Sequence, residues 1–157
     1  STLDIFTHIT ALPVSIRFLT KTELFRIPIL SRVLKILGLP RIDRKKAAIN
    51  LPKINESIQK VIDSNNSIMI FPEGTRSNQK ELLPFKKGAA HIAKQFDLPI
   101  IPVITHNAHN LMIKGSVWFK SGQIDIEILD PILNIQEYDV DELTDLIFSK
   151  VNKNLNS

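Results

Sequence analysis

The order in which apolar stripes recur along the chain limits its fold more than any other sequence feature. Short apolar or alternating runs, typical of strands, occupy residues 14–19, 40–43, 68–71, 100–104 and 123–129. Apolar residues at helical spacing occupy residues 29–37, 52–63, 89–96 and 137–154. Strands that alternate with helices predict an α/β layered fold with a mixed, mostly parallel sheet flanked by helices. The 157 residues suffice for a proper core, so we expect one domain over residues 1–157.

Composition and charge narrow the class of protein. A content of 43% hydrophobic and 23% charged residues is typical of a globular protein. The absence of cysteine excludes disulfides, thiolate metal sites and cysteine nucleophiles. A net charge of +4 favours an anionic partner, such as a phosphate ligand or an acidic membrane surface, but it equally suits solubility alone. Aromatic residues make up only 6% of the chain, which disfavours a nucleic-acid-binding domain.

A charged turn follows the predicted strand at residues 68–71. Pro72 and Gly74 end that strand and open a loop. In this loop, Glu73 can accept hydrogen bonds from hydroxyl groups, and Arg76 presents a planar fork that suits phosphate oxygens. The turn therefore predicts a site for a phosphorylated polyol, with a surface turn and a local ion pair as the alternative.

Two lysines precede the predicted helix at residues 89–96. Lys86 and Lys87 lie where the helix dipole favours acidic side chains. An anion bound between the two lysines and the helix end would offset the repulsion between the lysine charges and the positive end of the helix dipole. The alternative is that both lysines point into solvent. Arg76, ten residues before Lys86, favours a phosphate site.

The string Phe71-Pro72-Glu73-Gly74-Thr75-Arg76-Ser77 resembles the glycerol-phosphate-binding motif of the lysophospholipid acyltransferase family, the 1-acylglycerol-3-phosphate acyltransferases and their relatives. Three more short sequence segments resemble motifs of this family and occur in the same order along the chain. Ser1-Thr2-Leu3-Asp4 resembles the tail of its His-four-any-Asp motif. Gly38-Leu39-Pro40-Arg41-Ile42-Asp43-Arg44 resembles the second block, and Leu98-Pro99-Ile100-Ile101-Pro102-Val103 resembles the fourth. The resemblance covers about residues 1–131 and implies a glycerolipid acyltransferase-like fold.

The resemblance implies an O-acyltransferase of phospholipid biosynthesis. Such an enzyme moves a fatty acyl group from an acyl thioester, either acyl-CoA or acyl-carrier protein, to the free glycerol hydroxyl of a lysophospholipid such as 1-acylglycerol-3-phosphate. A His removes the hydroxyl proton while Asp4 orients the imidazole, and the chemistry needs no metal or redox cofactor. The substrate-binding residues implied by the family's motifs are Glu73, Gly74, Thr75, Arg76, Lys87 and Arg44.

The His of the family's first motif would fall two positions upstream of Ser1. We therefore expect the chain to be a family member that lacks its N-terminal segment and to be inactive by itself. The family resemblance also implies a membrane surface as partner and a location on the cytoplasmic face of a membrane, either peripheral or anchored by the missing segment. The alternative is a non-catalytic module that binds phospholipid or phosphate, and we expect no nucleic-acid partner.

The four histidines in the sequence do not fit the family's motif. His8 follows Asp4, in the reverse of the expected order. His106 and His109 have a spacing that could hold a metal ion weakly, but no third ligand lies nearby in the sequence, so we expect no metal site. We interpret His91 as a structural residue on the core or groove side of its helix.

Overall fold

The computed structural model describes residues 14–18, 20–21, 41–42, 47–75, 82–106 and 123–155. The strands in these ranges are β1 (Ile16–Phe18), β2 (Thr20–Lys21), β3 (Arg41–Ile42), β4 (Ser67–Met69), β5 (Val103–His106) and β6 (Asp125–Ile128). The helices are α1 (Ala47–Asp63), α2 (Gly88–Phe96), a short 3-10 helix (Ile135–Glu137) and α3 (Val140–Leu155). The predicted helix at residues 29–37 lies outside the described ranges. Two compact units meet in sequence between Ile70 and Phe71, and each is described by itself.

In its described residues, the first unit has two parallel strand pairs and one helix. β1 pairs with β4, where Ile16 lies opposite Ser67 and Phe18 opposite Met69, and β2 pairs with β3. The buried apolar residues of this unit alternate along β1 and recur every three or four positions along α1, as each periodicity requires. They are Ile16, Phe18, Ile54, Ile58 and Val61.

Helix α1 begins earlier than its sequence predicts. The prediction placed its start at Pro52, but the helix begins at Ala47 and Pro52 lies inside it. Proline removes one backbone hydrogen bond and crowds the carbonyl four residues earlier, which costs about 3 kcal/mol in a helix interior. Packing of an amphipathic face contributes most of a helix's stability in proteins, and Ile58, fully buried, belongs to that face. The predicted start was therefore wrong by one and a half turns.

The second unit is built on the antiparallel pair of β5 and β6. Val103 lies opposite Ile128 and His106 opposite Asp125, and the ladder extends to a bridge between Ile100 and Ile132. From the first pair to the bridge, one strand advances three residues (103 to 100) while the other advances four (128 to 132). The extra residue forms a bulge beside Pro131, where a residue without an N–H group is tolerated.

Helices α2 and α3 pack with this strand pair around one core. Leu143 and Ile135 are its most deeply buried large side chains, exposed by 0% and 1%. The rings of Phe85 and Phe148 meet edge to face at its margin, with centroids 5.2 Å apart. The buried members of the core are Ala90, Ala93, Ile104, Leu129, Ile132, Ile135, Leu143, Ile147 and Val151.

The fold class agrees with the sequence prediction. Two of the three strand pairs in the described ranges are parallel, and helices accompany them in both units, which confirms an α/β fold with mostly parallel strand pairing. The expectation of a single domain over residues 1–157 stays a prediction. Within the described ranges, no helix has both the length and the apolar character needed to cross a bilayer.

Candidate functional site

The turn that follows β4 has the geometry its sequence predicts. The N–H of Gly74 donates to the carbonyl of Phe71 across 3.1 Å, which closes a four-residue turn with Pro72 at its second position. Gly74 has a φ of 68°, in the left-handed region that glycine adopts at little cost. The chain reverses here, so that Glu73 lies half-buried while Thr75 is exposed.

Glu73 is held by the backbone of a neighbouring segment. The N–H of Leu83 donates to Oε2 of Glu73 across 3.1 Å, and the N–H of Lys86 donates to the carbonyl of Pro72 across 2.8 Å. These two bonds fix residues 82–86 beside the turn. Among the described residues, Oε1 of Glu73 has no hydrogen-bond donor, so this oxygen can accept a hydroxyl group of a ligand.

Lys87 lies directly before α2 and reaches toward α3. Its Nζ is 2.5 Å from Oδ1 of Asp141, and the two side chains are 59% and 65% exposed. The hydrogen bond to Asp141, followed by the charge of Asp141, raises the pKa of Lys87, and the charges of Asp139 and Asp145 add to this effect. Lys87 therefore stays protonated at neutral pH and carries a positive charge.

The first turn of α3 holds Asp141 in place. Oδ1 of Asp139 accepts from the backbone N–H groups of Asp141 at 2.7 Å and Glu142 at 2.8 Å. In return, the N–H of Asp139 donates to Oε2 of Glu142 across 2.8 Å. This reciprocal pair is a capping box, which satisfies helix-end donors that would otherwise lack partners.

A second lysine ties the segment before α3 to the other end of α2. Nζ of Lys94 donates to the carbonyl of Tyr138 and to those of Ile135 and Gln136, the last two at 3.4 Å. The side chain of Gln136 donates back to the carbonyl of Lys94 at 2.9 Å and to Asp97 at 3.0 Å. Residues 135–141 therefore contact α2 near both of its ends.

The predicted site residues divide into two groups. Glu73, Gly74, Thr75 and Lys87 are described, and all four belong to the second unit. Asp4, Arg44 and Arg76 lie outside the described residues, so their roles stay predictions. Sequence reasoning missed the pairing of Lys87 with Asp141, because the two are 54 positions apart (141 minus 87) and no pattern connects them.

The environments of the described histidines differ in part from those expected from the sequence. His91 is exposed on α2, so a place on the core side is wrong, and a place on a groove side stays a prediction. Nε2 of His106 lies 3.0 Å from Oε2 of Glu127 on the neighbouring strand. In the ranges that the structure describes, no group of three or more acidic or His side chains could hold a metal ion.

Comparison with known proteins identifies the family. The family model described as "Acyltransferase" matches residues 1–106. Since this match spans more than half of the chain, the chain belongs to the acyltransferase family, which confirms the resemblance in its motifs.

Curated relatives point to one branch of that family. A 1-acyl-sn-glycerol-3-phosphate acyltransferase of Limnanthes alba is 33% identical over 147 residues, covering 94% of this chain and 52% of the relative. The protein of that name from Saccharomyces cerevisiae is 36% identical, covering 84% of this chain and 44% of the relative. The human 1-acyl-sn-glycerol-3-phosphate acyltransferase alpha is 30% identical, with corresponding shares of 84% and 46%. The chain spans about half the length of the curated relatives it matches.

A solved structure shares the fold. The crystal structure of the 1-acyl-sn-glycerophosphate (LPA) acyltransferase PlsC from Thermotoga maritima superposes with a TM-score of 0.79 at 25% identity. The match covers 99% of this chain and 61% of that chain, so the predicted glycerolipid acyltransferase-like fold is confirmed.

Proposed function

We propose that the natural protein transfers a fatty acyl group from an acyl thioester to the free glycerol hydroxyl of 1-acylglycerol-3-phosphate, in phospholipid biosynthesis. The observation that carries this proposal is Glu73. One of its carboxylate oxygens is fixed by Leu83, and it lies in the turn whose sequence matches the family's glycerol-phosphate motif. Acyltransferase family membership and relatives named for this reaction support the same activity.

Each site residue has a definite task in this proposal. Glu73 accepts a hydrogen bond from the glycerol, and the cations Arg76 and Lys87 neutralise its phosphate. The family's second block implies a substrate-binding role for Arg44 as well. Gly74 and Thr75 shape the turn around the head group.

The chemical step needs a base and an orienting acid. The family's first motif has a His five positions before its Asp; in this proposal such a His takes the proton of the free hydroxyl, and Asp4 holds the imidazole in the correct orientation. The hydroxyl oxygen then attacks the thioester carbonyl, an ester forms, and the C–S bond breaks to release the protonated thiol of coenzyme A or acyl-carrier protein. No His in the 157 residues is followed by Asp at that spacing, so residues 1–157 alone are expected to be inactive.

The substrate suggests where the protein acts. A lysophospholipid with one acyl chain resides at a bilayer surface, so we propose that the reaction takes place at a membrane, on the cytoplasmic face that the family resemblance implies. The net charge of +4 suits an anionic bilayer surface.

The test is acyl transfer by the natural full-length protein. Acyl-CoA and acylated acyl-carrier protein, each with a labelled acyl group, are supplied as separate donors. Each donor is combined with lysophosphatidate, lysophosphatidylcholine or monoacylglycerol, and the labelled product lipids are separated. We expect phosphatidate from lysophosphatidate, with little transfer to monoacylglycerol because it offers no phosphate to the cations.

Matched variants separate the roles of the site residues. Asp4→Asn keeps the size of the side chain but removes the charge that stabilises the imidazolium, so kcat should fall by about 10²-fold or more. Arg76→Lys keeps the charge but loses the planar fork, so mainly KM for lysophosphatidate should rise. Lack of transfer to any lysolipid refutes the proposal, and binding without transfer would indicate a non-catalytic phospholipid-binding module.

A further inference from the structure

The ammonium of Lys87 already has an acidic partner in this structure. Asp141 lies 2.5 Å away, and its carboxylate comes from α3 rather than from the turn that holds Glu73. A phosphate that binds Lys87 must therefore share or displace this contact.

Asp141 is kept next to Lys87 by several independent contacts. Its backbone N–H is bound by Asp139 in the capping box, so the side chain starts from a fixed point. Lys94 ties the preceding segment to α2 through the carbonyl of Tyr138. Buried Leu143, two positions after Asp141, anchors the same turn of α3 in the core.

Asp141 also brings negative charge close to the proposed phosphate position. A lysine ammonium has three donors and can contact two acceptors at once, but a phosphate and a carboxylate around one cation repel each other. The charges of Asp139 and Asp145 also act on Lys87 and add to the negative charge around it. The acceptor's phosphate therefore meets a cation whose attraction is partly cancelled.

We infer that Asp141 is a specificity-determining residue that competes with the acceptor's phosphate for the ammonium of Lys87. This inference rests on the proposed function, in which Lys87 binds that phosphate. The contact between Lys87 and Asp141 weakens the binding of phosphorylated acceptors. It leaves the binding of acceptors without a phosphate unchanged. The first turn of α3 thereby sets acceptor affinity without contacting the reacting atoms.

The test compares Asp141→Asn with the unchanged sequence in the natural full-length protein at saturating acyl donor. The side chain of Asp141 takes no part in the capping box, so the variant should lose only the small contribution of its ion pair and of its charge at the helix start, and its melting temperature should fall only slightly. An exposed ion pair of this kind alters an equilibrium by about two- to fivefold, so KM for lysophosphatidate should fall by about that factor. The kcat should change by less than about twofold, because the residue does not contact the reacting groups.

Two controls isolate the contact itself. Asp145→Asn removes the same charge one turn later, without a hydrogen bond to Lys87, and should change KM by less than Asp141→Asn. In a Lys87→Met background, Asp141→Asn should lower KM by less than it does when Lys87 is present, since only the direct repulsion of the phosphate is then relieved and the cation for which Asp141 competes is gone. An unchanged or raised KM in Asp141→Asn, or an equal fall of KM in the Lys87→Met background, overturns the inference.

A binding measurement separates this inference from the proposed activity. Calorimetry with glycerol 3-phosphate should give a Kd about two- to fivefold lower for Asp141→Asn than for the unchanged protein. If the unchanged protein transfers no acyl group but this shift occurs, the proposed function fails and the competition stands. If transfer occurs and neither KM nor Kd falls, the competition fails and the proposed function stands.

Discussion

Glu73 serves the fold and the proposed site with different oxygens of one carboxylate. Oε2 accepts from the N–H of Leu83, which fixes the direction in which the side chain points. A carboxylate that is held in this way needs little reorganisation when a ligand hydroxyl approaches the other oxygen. A substitution of Glu73 can therefore keep the hydrogen bond to Leu83 and lose the acceptor for the ligand hydroxyl.

Replacement of Glu73 by Gln should weaken substrate binding without destabilising the fold. Gln has a single acceptor oxygen, which Leu83 would occupy, and its amide then presents a donor to the substrate hydroxyl. We expect KM for lysophosphatidate to rise by about tenfold or more, with a melting temperature close to that of the unchanged protein. Glu73→Ala should raise KM similarly and also lower the free energy of unfolding by about 1 kcal/mol. Equal unfolding energies for the two variants would contradict the role of the Leu83 bond.

Two glycines form a matched pair for testing backbone conformation. Gly74 has a φ of 68°, so Gly74→Ala should lower the free energy of unfolding by about 1 to 2 kcal/mol. Gly88 is the first residue of α2, and a Cβ there would meet no atom within 4 Å. Gly88→Ala should therefore leave stability unchanged or raise it by up to about 1 kcal/mol. Urea unfolding of both variants measures the difference, and equal losses would be inconsistent with the turn geometry.

The conformation of some residues could be predicted from neighbouring sequence, whereas contacts that depend on packing could not. The turn at Gly74 followed from Pro72 and Gly74 themselves, because turn types select those residues at fixed offsets. The partner of Lys87 did not follow, since the contact with Asp141 depends on how α2 and α3 pack. The exposure of His91 also depends on packing, and the expectation that it lies on the core side failed for that reason.

At the scale of elements, the start of α3 is set by Asp139. The carboxylate accepts from two backbone N–H groups in the first turn, and Asp139→Ala leaves both donors without this partner. We expect the free energy of unfolding to fall by about 1 kcal/mol, within a range of about 0.5 to 2.

The control for this change lies on the same helix. Asp145 is exposed in the interior of α3, where Ala has the higher helix propensity. Asp145→Ala should therefore change stability by less than about 0.5 kcal/mol. Chemical unfolding followed by circular dichroism measures both variants, and a loss in Asp145→Ala that matches Asp139→Ala would refute the capping assignment.

Element types were predictable where periodicity was strong, and their ends were less so. Leu143, Ile147 and Val151 mark the buried face of α3, and their four-residue spacing was visible in the sequence. The predicted start at residue 137 missed the separate 3-10 helix and the true start at Val140. The pattern Asp139-x-x-Glu142 could have located that start, because it is the signature of a capping box.

At the scale of the whole molecule, the chain has a core in each of two units. Ile58 is fully buried in the first and Leu143 in the second, both with 0% exposure. Domains that fold independently unfold in separate transitions, whereas a single cooperative domain unfolds in one. The predicted single domain can therefore be tested through these two residues.

Truncation of either core residue should destabilise the same transition. Ile58→Ala and Leu143→Ala each leave a cavity, and each should lower the free energy of unfolding by about 2 to 5 kcal/mol. If residues 1–157 form one domain, hydrogen exchange should speed up in both α1 and α3 for either variant. Faster exchange confined to the unit that carries the substitution would show two independent domains.

The fold class could be predicted because it depends on the alternation of strands and helices over the whole length. The family was predictable because four short motifs, among them Glu73-Gly74-Thr75-Arg76, occur in order. The ladder bulge beside Pro131 was not predictable, because a bulge depends on the register of two strands.

Lys87, directly before α2, and Lys94, within it, impose different constraints on how related sequences diverge. Lys94 binds backbone carbonyls, which every amino acid possesses, so those bonds do not depend on the side chains at residues 135, 136 and 138. Lys87 binds a side chain, and loss of either charge leaves the other without its partner. Among homologues, positions 87 and 141 should therefore change together, while position 94 should be retained against a varying background.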